Sequence, residues 1–363
     1  MPIHMKLFDT MSSMGHEQLV LAHDKSSGYR GIIAIHDTTL GPALGGTRFW
    51  HYASDEEAIT DALRLARGMT YKNAVAGLNL GGGKSVIIGD NRTVNREMLF
   101  RAHGRFVDSL GGRYVTAEDV GTSTVDMDFV HMETNYVSGL QGASGDPSPV
   151  TARGVFRAMQ ATAKFRWGSD DLSGRTVAIQ GCGNVGHHLA NELHAVGAKL
   201  LVADIDAERV KRVVADTGAR PVGVADILDQ DADILAPCAL GGGLNDETIP
   251  RLRVELIVGA ANNQLLEDRH GDMLQARGIT YAPDYVVNAG GVINVYSELA
   301  GWDRTRSLRK ADEIYQTILG VFEIALADGV TPHVAADRLA ERRIDAVRGM
   351  VRTWPSYPNK SQF

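Results

Sequence analysis

Two lysines stand twelve positions apart in the stretch Gly68-Met-Thr-Tyr-Lys72-Asn-Ala-Val-Ala-Gly-Leu-Asn-Leu-Gly-Gly-Gly83-Lys84-Ser85. Two ammonium groups brought together in a partly dry cleft lower each other's pKa, because each disfavours the other's charged form. One can then bind an anion while the other works near neutral pH as a base. The same residues also read as two surface lysines beside a glycine-rich loop, and the stretch alone leaves both readings open. A further candidate is Asp119, which with Glu118 ends the run Tyr114-Val-Thr-Ala117 just before Gly121. Acids at a strand end suit a cleft, and they suit a structural turn equally well.

Gly83-Lys84-Ser85 also resembles the end of a phosphate-binding loop, G-x-x-x-x-G-K-[ST]. That pattern needs glycine at position 78, where the chain has Leu78, and Gly77 is one residue out of register. Such a loop opens a helix, whereas Val86-Ile87-Ile88 is β-branched and reads as strand.

The lysines need elements to carry them. Ser54 caps a helix whose first turn holds Asp55, Glu56 and Glu57, where carboxylates complement the helix dipole. Ile59, Ala62, Leu63, Ala66 and Met69 follow at helical spacing, and the helix delivers Lys72 at or just past its end. Before it, Gln18–His23 and Gly31–His36 flank the turn Lys25-Ser-Ser-Gly as a hairpin. Asn95–Leu110 is an amphipathic helix, Gly139–Pro149 a loop at a domain boundary, and Thr151–Trp167 a helix.

The pattern then changes to strand, glycine turn, helix, strand. Arg175–Gln180 runs into Gly181-Cys-Gly183-Asn184-Val185-Gly186, a helix follows to Gly197, and Lys199–Ala203 ends at Asp204. This is the G-x-G-x-x-G fingerprint in the context it requires. Its glycines serve the tight turn, backbone approach to a pyrophosphate, and close helix–strand packing. The helix N-terminus offers free N–H groups to phosphates. Asp204, about twenty residues beyond Gly181, can take both ribose hydroxyls and repel a 2′-phosphate, which favours NAD over NADP, with nearby Arg209 as the counter-indication. Ligands in parallel sheets bind beyond strand ends, so Asn262 and Asn263 are candidate contacts, although both are also ordinary turn formers. His187 and His188 have no neighbours at metal-ligand spacing and read as exposed helix positions. From Lys310 to Arg352 the chain reads as amphipathic helix, broken at Gly329-Val-Thr-Pro.

At 363 residues, 44% hydrophobic and 22% charged, the chain has the composition of a globular protein of two domains. A formal charge of −7 without a basic block argues against nucleic acid as a partner. Two cysteines, Cys182 and Cys238, fit a reducing cytoplasm rather than a disulfide framework. No apolar run has signal-peptide or membrane-spanning character, so a soluble cytoplasmic protein is expected.

Six segments, Leu40-Gly-Pro-Ala-Leu-Gly-Gly-Thr-Arg, Gly68-Met-Thr-Tyr-Lys-Asn, Gly81-Gly-Gly-Lys, Thr116-Ala-Glu-Asp-Val-Gly, Gly259-Ala-Ala-Asn-Asn-Gln and Asn288-Ala-Gly-Gly-Val-Ile-Asn, occur in order along nearly the whole chain. Together they resemble the amino acid dehydrogenases of the glutamate/leucine/phenylalanine/valine group, most closely its leucine branch. The resemblance implies an α/β protein of two domains. Residues 1–138 form a catalytic domain completed by C-terminal helices at about 331–363, and 139–330 form a doubly wound Rossmann domain. It implies reversible NAD-dependent oxidative deamination of a branched-chain L-amino acid to its 2-keto acid and ammonium, by a homo-oligomer, an octamer in related enzymes.

By resemblance Lys72 pairs with the substrate carboxylate, Lys84, with its pKa lowered by Lys72 and by cleft closure, activates water, and Asp119 exchanges protons with the amino group. Thr151, Asn262 and Asn288 match positions at the nicotinamide end or the substrate amine. Leu40, Gly41, Ala117, Val292 and Val295 match the substrate pocket. Leu40 and Val295 stand where glutamate-specific relatives carry a lysine and a serine, and an apolar pair cannot satisfy a buried γ-carboxylate. One methylene in such a pocket is worth only ~1–3 kcal/mol, so leucine, valine and isoleucine should all react. Met14-Gly-His-Glu-Gln, Phe165-Arg-Trp167 and Ile249-Pro250 are also similar to tryptophan dehydrogenases, which keeps the same reaction on an aromatic amino acid as an alternative. A non-catalytic NAD-binding relative should have lost a lysine or the aspartate, and this chain keeps all three.

Overall fold

The computed structural model describes residues 6–93, 95–142 and 145–350, so the expected helical stretch at 351–363 lies outside the described residues. Helix α1 (Leu7–Met14) leads into β1 (Gln18–Asp24), β2 (Tyr29–Asp37) and β3 (Ala43–Trp50). Helix α2 (Asp55–Val75), β4 (Gly81–Ile88), α3 (Arg96–Asp108), β5 (Tyr114–Glu118) and α4 (Thr124–His131) follow. The five strands form one sheet in the order β1-β2-β4-β3-β5. The β1–β2 hairpin and the β2–β4 pair are antiparallel, whereas β4–β3 and β3–β5 are parallel. Three adjacent strand ends, those of β4, β3 and β5, therefore point the same way.

Helix α2 starts where the Ser54 hydroxyl accepts from the Glu57 amide, a cap worth ~1 kcal/mol. Its Ala58, Ala62, Leu63 and Ala66 are buried against Ile32, Ala34 and Val86. Lys72 lies within the last turn of this helix rather than past its end. The expected glycine loop before Lys84 is instead the start of β4, and all of Gly81–Lys84 is buried strand. The reason is steric: a Cβ on Gly82 would lie 2.1 Å from the Thr70 amide nitrogen. The strand thus runs directly against the backbone of α2, and no phosphate-binding loop forms there.

The second sheet contains β6 (Thr176–Gln180), β7 (Lys199–Ala203), β8 (Arg220–Pro221), β9 (Ile234–Pro237), β10 (Leu256–Ile257) and β11 (Thr280–Tyr281). Its order is β11-β10-β9-β6-β7-β8, all parallel. This is the doubly wound order in which a dinucleotide binds where the winding reverses, here between β6 and β9. Val177 and Ile179 face one apolar cluster and Ala178 the other, so both faces are covered. The helices are α5 (Ser148–Trp167), α6 (Asn184–Ala195), α7 (Ala207–Thr217), α8 (Arg269–Ala276) and α9 (Asp284–Val287). They are completed by α10 (Gly290–Leu299), α11 (Arg304–Asp312), α12 (Ile314–Asp328) and α13 (Pro332–Arg348).

Helix α5 begins at Ser148, inside the segment expected to be loop, because Pro149 in its first turn has no N–H to leave unsatisfied. The C-terminal α13 returns to the first layer. The Arg343 guanidinium donates to the Asn73 and Ala74 carbonyls at 3.3 and 2.9 Å, and the Tyr71 hydroxyl donates to Glu341 at 2.8 Å. The last turn of α2, which carries Lys72, is thereby strapped at its C-terminal carbonyls, where a cation also complements the helix dipole.

Candidate active site

Strand β4 carries Lys84 and the residue after β5 is Asp119, so the shared parallel register brings them together. The Lys84 ammonium donates to Asp119 Oδ2 at 2.8 Å. The same oxygen accepts from Arg48 Nε of β3 at 2.9 Å. Arg48 NH1 reaches Asp61 of α2 at 2.8 Å, and the Tyr52 hydroxyl donates to that same Asp61 oxygen at 2.8 Å. Across the cleft, Asn262 Oδ1 accepts from the Lys72 ammonium at 3.3 Å and from the Asn288 amide at 2.8 Å. Asn262 follows β10 and Asn288 follows α9, so the Lys72 bond joins the two layers.

Burial is the main cause lowering the pKa of both lysines. Lys72 is brought down to about 8, with Asp284 opposing the shift and Lys84 adding to it. Lys84 is also lowered by burial, while Asp119 pulls it back up and Arg48 repels it. The sequence attributes this repulsion to Lys72, but the like charge that acts most on Lys84 is Arg48. Burial alone would raise the Asp119 carboxyl, yet Lys84 and Arg48 together hold it below the usual carboxylate range. Burial raises Asp284, which accepts from the Gln264 amide at 2.7 Å. A lysine of reduced basicity beside a carboxylate held ionised gives up its proton more readily than a free ammonium would.

At the sheet switch point, Gly181 adopts φ 108°, in the left-handed half of dihedral space that favours glycine. A Cβ on Gly186 would lie 2.0 Å from the Gly181 carbonyl oxygen, so α6 packs on β6 only through glycine. Gly183 is the N-cap of α6, and the first-turn amides of Asn184, Val185 and Gly186 have no carbonyl one turn earlier to bond. Asp204 follows β7 and accepts from the Cys182 amide at 2.6 Å and the Asp206 amide at 2.9 Å, which points its carboxylate at the fingerprint. These features fit a dinucleotide. Arg209 is paired with Asp206 at 3.2 Å rather than left free.

Thr151 is buried in α5, its hydroxyl donating to the Pro147 carbonyl at 3.0 Å. Val292 is buried in the large apolar cluster that Leu40 and Val295 border. Gly41 sits at a tight crossing where a Cβ would meet the Asn79 carbonyl at 2.2 Å. Ala117 is buried on β5 opposite Gly46, outside that cluster. His187 and His188 are partly buried rather than exposed, and His187 pairs with Asp216 at 2.6 Å. Among the described residues no group of three His, Cys, Asp or Glu is arranged to hold a metal, and no single helix is long and apolar enough to cross a membrane. Arg48, Asp61, Tyr52 and Asp284 were not singled out from the sequence. Arg48 lies inside a recognised segment, but nothing in its spacing tells which acids it faces.

Residues 16–136 match the Glu/Leu/Phe/Val dehydrogenase dimerisation domain, and residues 202–326 match the glutamate/leucine/phenylalanine/valine dehydrogenase domain. The chain is 58% identical over 347 residues to leucine dehydrogenase of Geobacillus stearothermophilus, covering 95% of both chains. It belongs to the glutamate/leucine/phenylalanine/valine dehydrogenase family. Within this family it is also 52% identical over 341 residues to valine dehydrogenase of Streptomyces coelicolor, covering 92% of this chain and 93% of that one. The crystal structure of L-tryptophan dehydrogenase from Nostoc punctiforme superposes with a TM-score of 0.87 at 48% identity, covering 94% of this chain and 99% of that one. The two-domain α/β fold and amino acid dehydrogenase chemistry are those of the family. Residues 150–248 also match the NAD-binding domain of D-isomer-specific 2-hydroxyacid dehydrogenases, in keeping with the fingerprint.

Proposed function

We propose that the chain catalyses the reversible NAD-dependent oxidative deamination of leucine, valine and isoleucine to their 2-keto acids and ammonium. The observation that carries this reading is the convergence of Lys72, Lys84 and Asp119 on the cleft face opposite Asn262 and Asn288. The identity to leucine dehydrogenases supports the aliphatic substrate, as does the apolar character of Leu40, Val292 and Val295.

In this reading Lys72 binds the substrate α-carboxylate, exchanging its bond to Asn262 for a charged partner. Bound NAD supplies the hydride acceptor for the substrate Cα. Lys84, uncharged, takes a proton from the water that adds to the resulting imine carbon. Asp119 takes up and returns the proton of the amino group, which leaves as ammonia. Thr151, Asn262 and Asn288 would hold the nicotinamide end beside the substrate, and such positioning can supply much of the rate enhancement. Gly181, Gly183, Asn184, Val185 and Gly186 would hold the pyrophosphate and Asp204 the adenosine ribose. The pairing of Arg209 with Asp206 supports NAD over NADP. Residues 1–138 with the helices after 331 form the substrate domain, and 139–330 the dinucleotide domain. The match of 16–136 to a dimerisation domain supports a homo-oligomer built through the first layer.

The test is NADH formation at mildly alkaline pH with leucine, valine, isoleucine, phenylalanine, tryptophan and glutamate compared at equal concentration. Strong reaction with the three aliphatic amino acids is expected. Reaction confined to an aromatic would overturn the substrate assignment, and no reaction with any would overturn the activity.

A further inference from the structure

Both cations that touch Asp119 bind one oxygen, Oδ2: Lys84 at 2.8 Å and Arg48 at 2.9 Å. Among the described residues no side chain or backbone donor is bonded to Oδ1. Arg48 does not end the chain of contacts. Its NH1 passes to Asp61 Oδ2 at 2.8 Å, which also accepts from Tyr52, while Asp61 Oδ1 accepts from Arg64 at 3.0 Å. Lys84 is nearly fully buried, Arg48, Asp61 and Asp119 are each about one fifth exposed, and Arg64 is more than half exposed. The charges therefore run from the closed end of the site outward to a cavity of 510 Å³ lined by Arg48, Trp50, Tyr52, Asp61, Arg64 and Val120.

We propose that Arg48 and Asp61 are positioning residues that pin the Asp119 carboxylate by Oδ2, leave Oδ1 to meet the substrate amino group, and set how firmly Lys84 keeps its proton. The inference rests on the deamination reading above and assigns residues that reading does not use. Without Arg48, Lys84 would be the only cation bonded to Oδ2, and the close pair would stabilise the charged ammonium. With Arg48 sharing that oxygen and repelling Lys84, the ammonium is held more weakly. Asp61 tempers this by neutralising part of the Arg48 charge. The directions agree, since Arg48 lowers the Lys84 pKa and Asp61 raises it.

The other ionisable groups near this cluster are Lys72 and Arg64 from α2, Tyr52 before it, Tyr114 from β5, and Asp284 from α9. Lys72 and Asp284 act on each other more than on Lys84. Burial, and then its bond to Asp61, raise Tyr52 beyond the working range, and burial raises Tyr114 to about 12.

The sign test uses two single variants in the intact enzyme. Arg48→Met removes the competing cation, so the acid limb of the kcat/KM–pH profile for deamination should move up, on the order of one pH unit. Asp61→Asn keeps the shape and leaves the Arg48 charge unscreened, so the same limb should move down. A merely structural role for either residue lowers kcat without displacing the limb, and finding both limbs unmoved would overturn the proposal. So would a shift of both variants in one direction. Should Arg48→Met fail to fold, Asp61→Asn alone still decides, since an unmoved or raised limb contradicts the relay. If the wild-type enzyme forms no NADH with any amino acid, the deamination reading fails instead, so the two failures are told apart by the unmodified protein.

Discussion

Lys84 is the residue on which turnover should depend most sharply. Replacing it with alanine removes the base but leaves the fingerprint untouched. Lys84→Ala should therefore lose at least about a thousandfold in kcat, the range of general-base catalysis, while NADH still binds by fluorescence titration. Undiminished turnover would sink the assigned role. Lys72 invites a different experiment, because its charge is useful to the reaction and costly to the fold. Its pKa of about 8 lies below the 10.5 of a free lysine. The unfolded chain therefore binds more protons between those values, and stability should rise with pH across them. At pH 7 the full penalty is present, so Lys72→Met should stabilise the empty protein, by on the order of 1–2 kcal/mol once partial solvent access is discounted, while KM rises steeply. A lower midpoint in urea for this variant would contradict the argument. At this scale the sequence showed which groups could do chemistry, because Lys72, Lys84 and Asp119 sit in recognisable segments. It did not show their partners. Arg48 and Asp61 are separated by 13 positions, and Arg48 and Asp119 by 71, so only the register of β3 with β5 and the packing of α2 on β3 reveal that they meet.

Elements explain why the site tolerates so little change in its backbone. The Gly81–Gly83 run looked like a flexible loop because glycine clusters usually mark turns. Here each glycine instead removes a Cβ that would strike a neighbouring backbone or ring. Gly82→Ala should force β4 away from α2, separating the strand of Lys84 from the helix of Lys72. A cost of ~1–3 kcal/mol or more in stability, together with loss of activity beyond what the stability loss explains, is expected from thermal unfolding and initial rates. An alanine variant of wild-type stability and activity would show that the crossing is looser than it looks. The β1–β2 hairpin, α2, α3 and the β6–α6–β7 unit were legible because period and punctuation agree there. Helix α4 was not, although Ser123 and Asp126 form a capping box that the sequence displays. Its single short amphipathic stretch gave too little period to notice. The start of α5 was misplaced because Pro149 was taken as the end of a loop instead of the opening of a helix.

On the scale of the whole molecule, the first layer should respond to mild acid. His103 is fully buried and its pKa is pushed down to about 3 by burial. His36 is pushed down to about 4 by burial and then by His16, and His16 is itself lowered by burial. Tyr29, Thr47 and Ser85 bond the His103 ring. In the unfolded chain these groups titrate near 6.5. Folding therefore keeps its full histidine contribution above that pH and loses it progressively as pH falls toward 4 and then 3. The slope is about 1.4 kcal/mol per pH unit for each fully titrating histidine. Glu118, Asp284 and Asp337, whose pKa values burial raises, act in the opposite sense. The window set by the histidines opens below about pH 6.5 and extends toward 4. Urea midpoints that do not fall across it would contradict the burial of these rings as neutral species. None of this was visible in the sequence, where the three histidines are scattered over nearly ninety positions and none marks itself as internal.

The bond between Lys72 and Asn262 has a consequence for how often the cleft stands open. A hydrogen bond to a charged group is worth ~1.5–3 kcal/mol when protected, and less, about 1 kcal/mol, where water can compete. One kilocalorie is a factor of about five in population. As far as this contact decides, the empty protein spends on the order of one part in six with the two layers unlatched. Substrate then has no rare event to wait for, and it finds in Lys72 a cation that exchanges a weak neutral acceptor for a carboxylate.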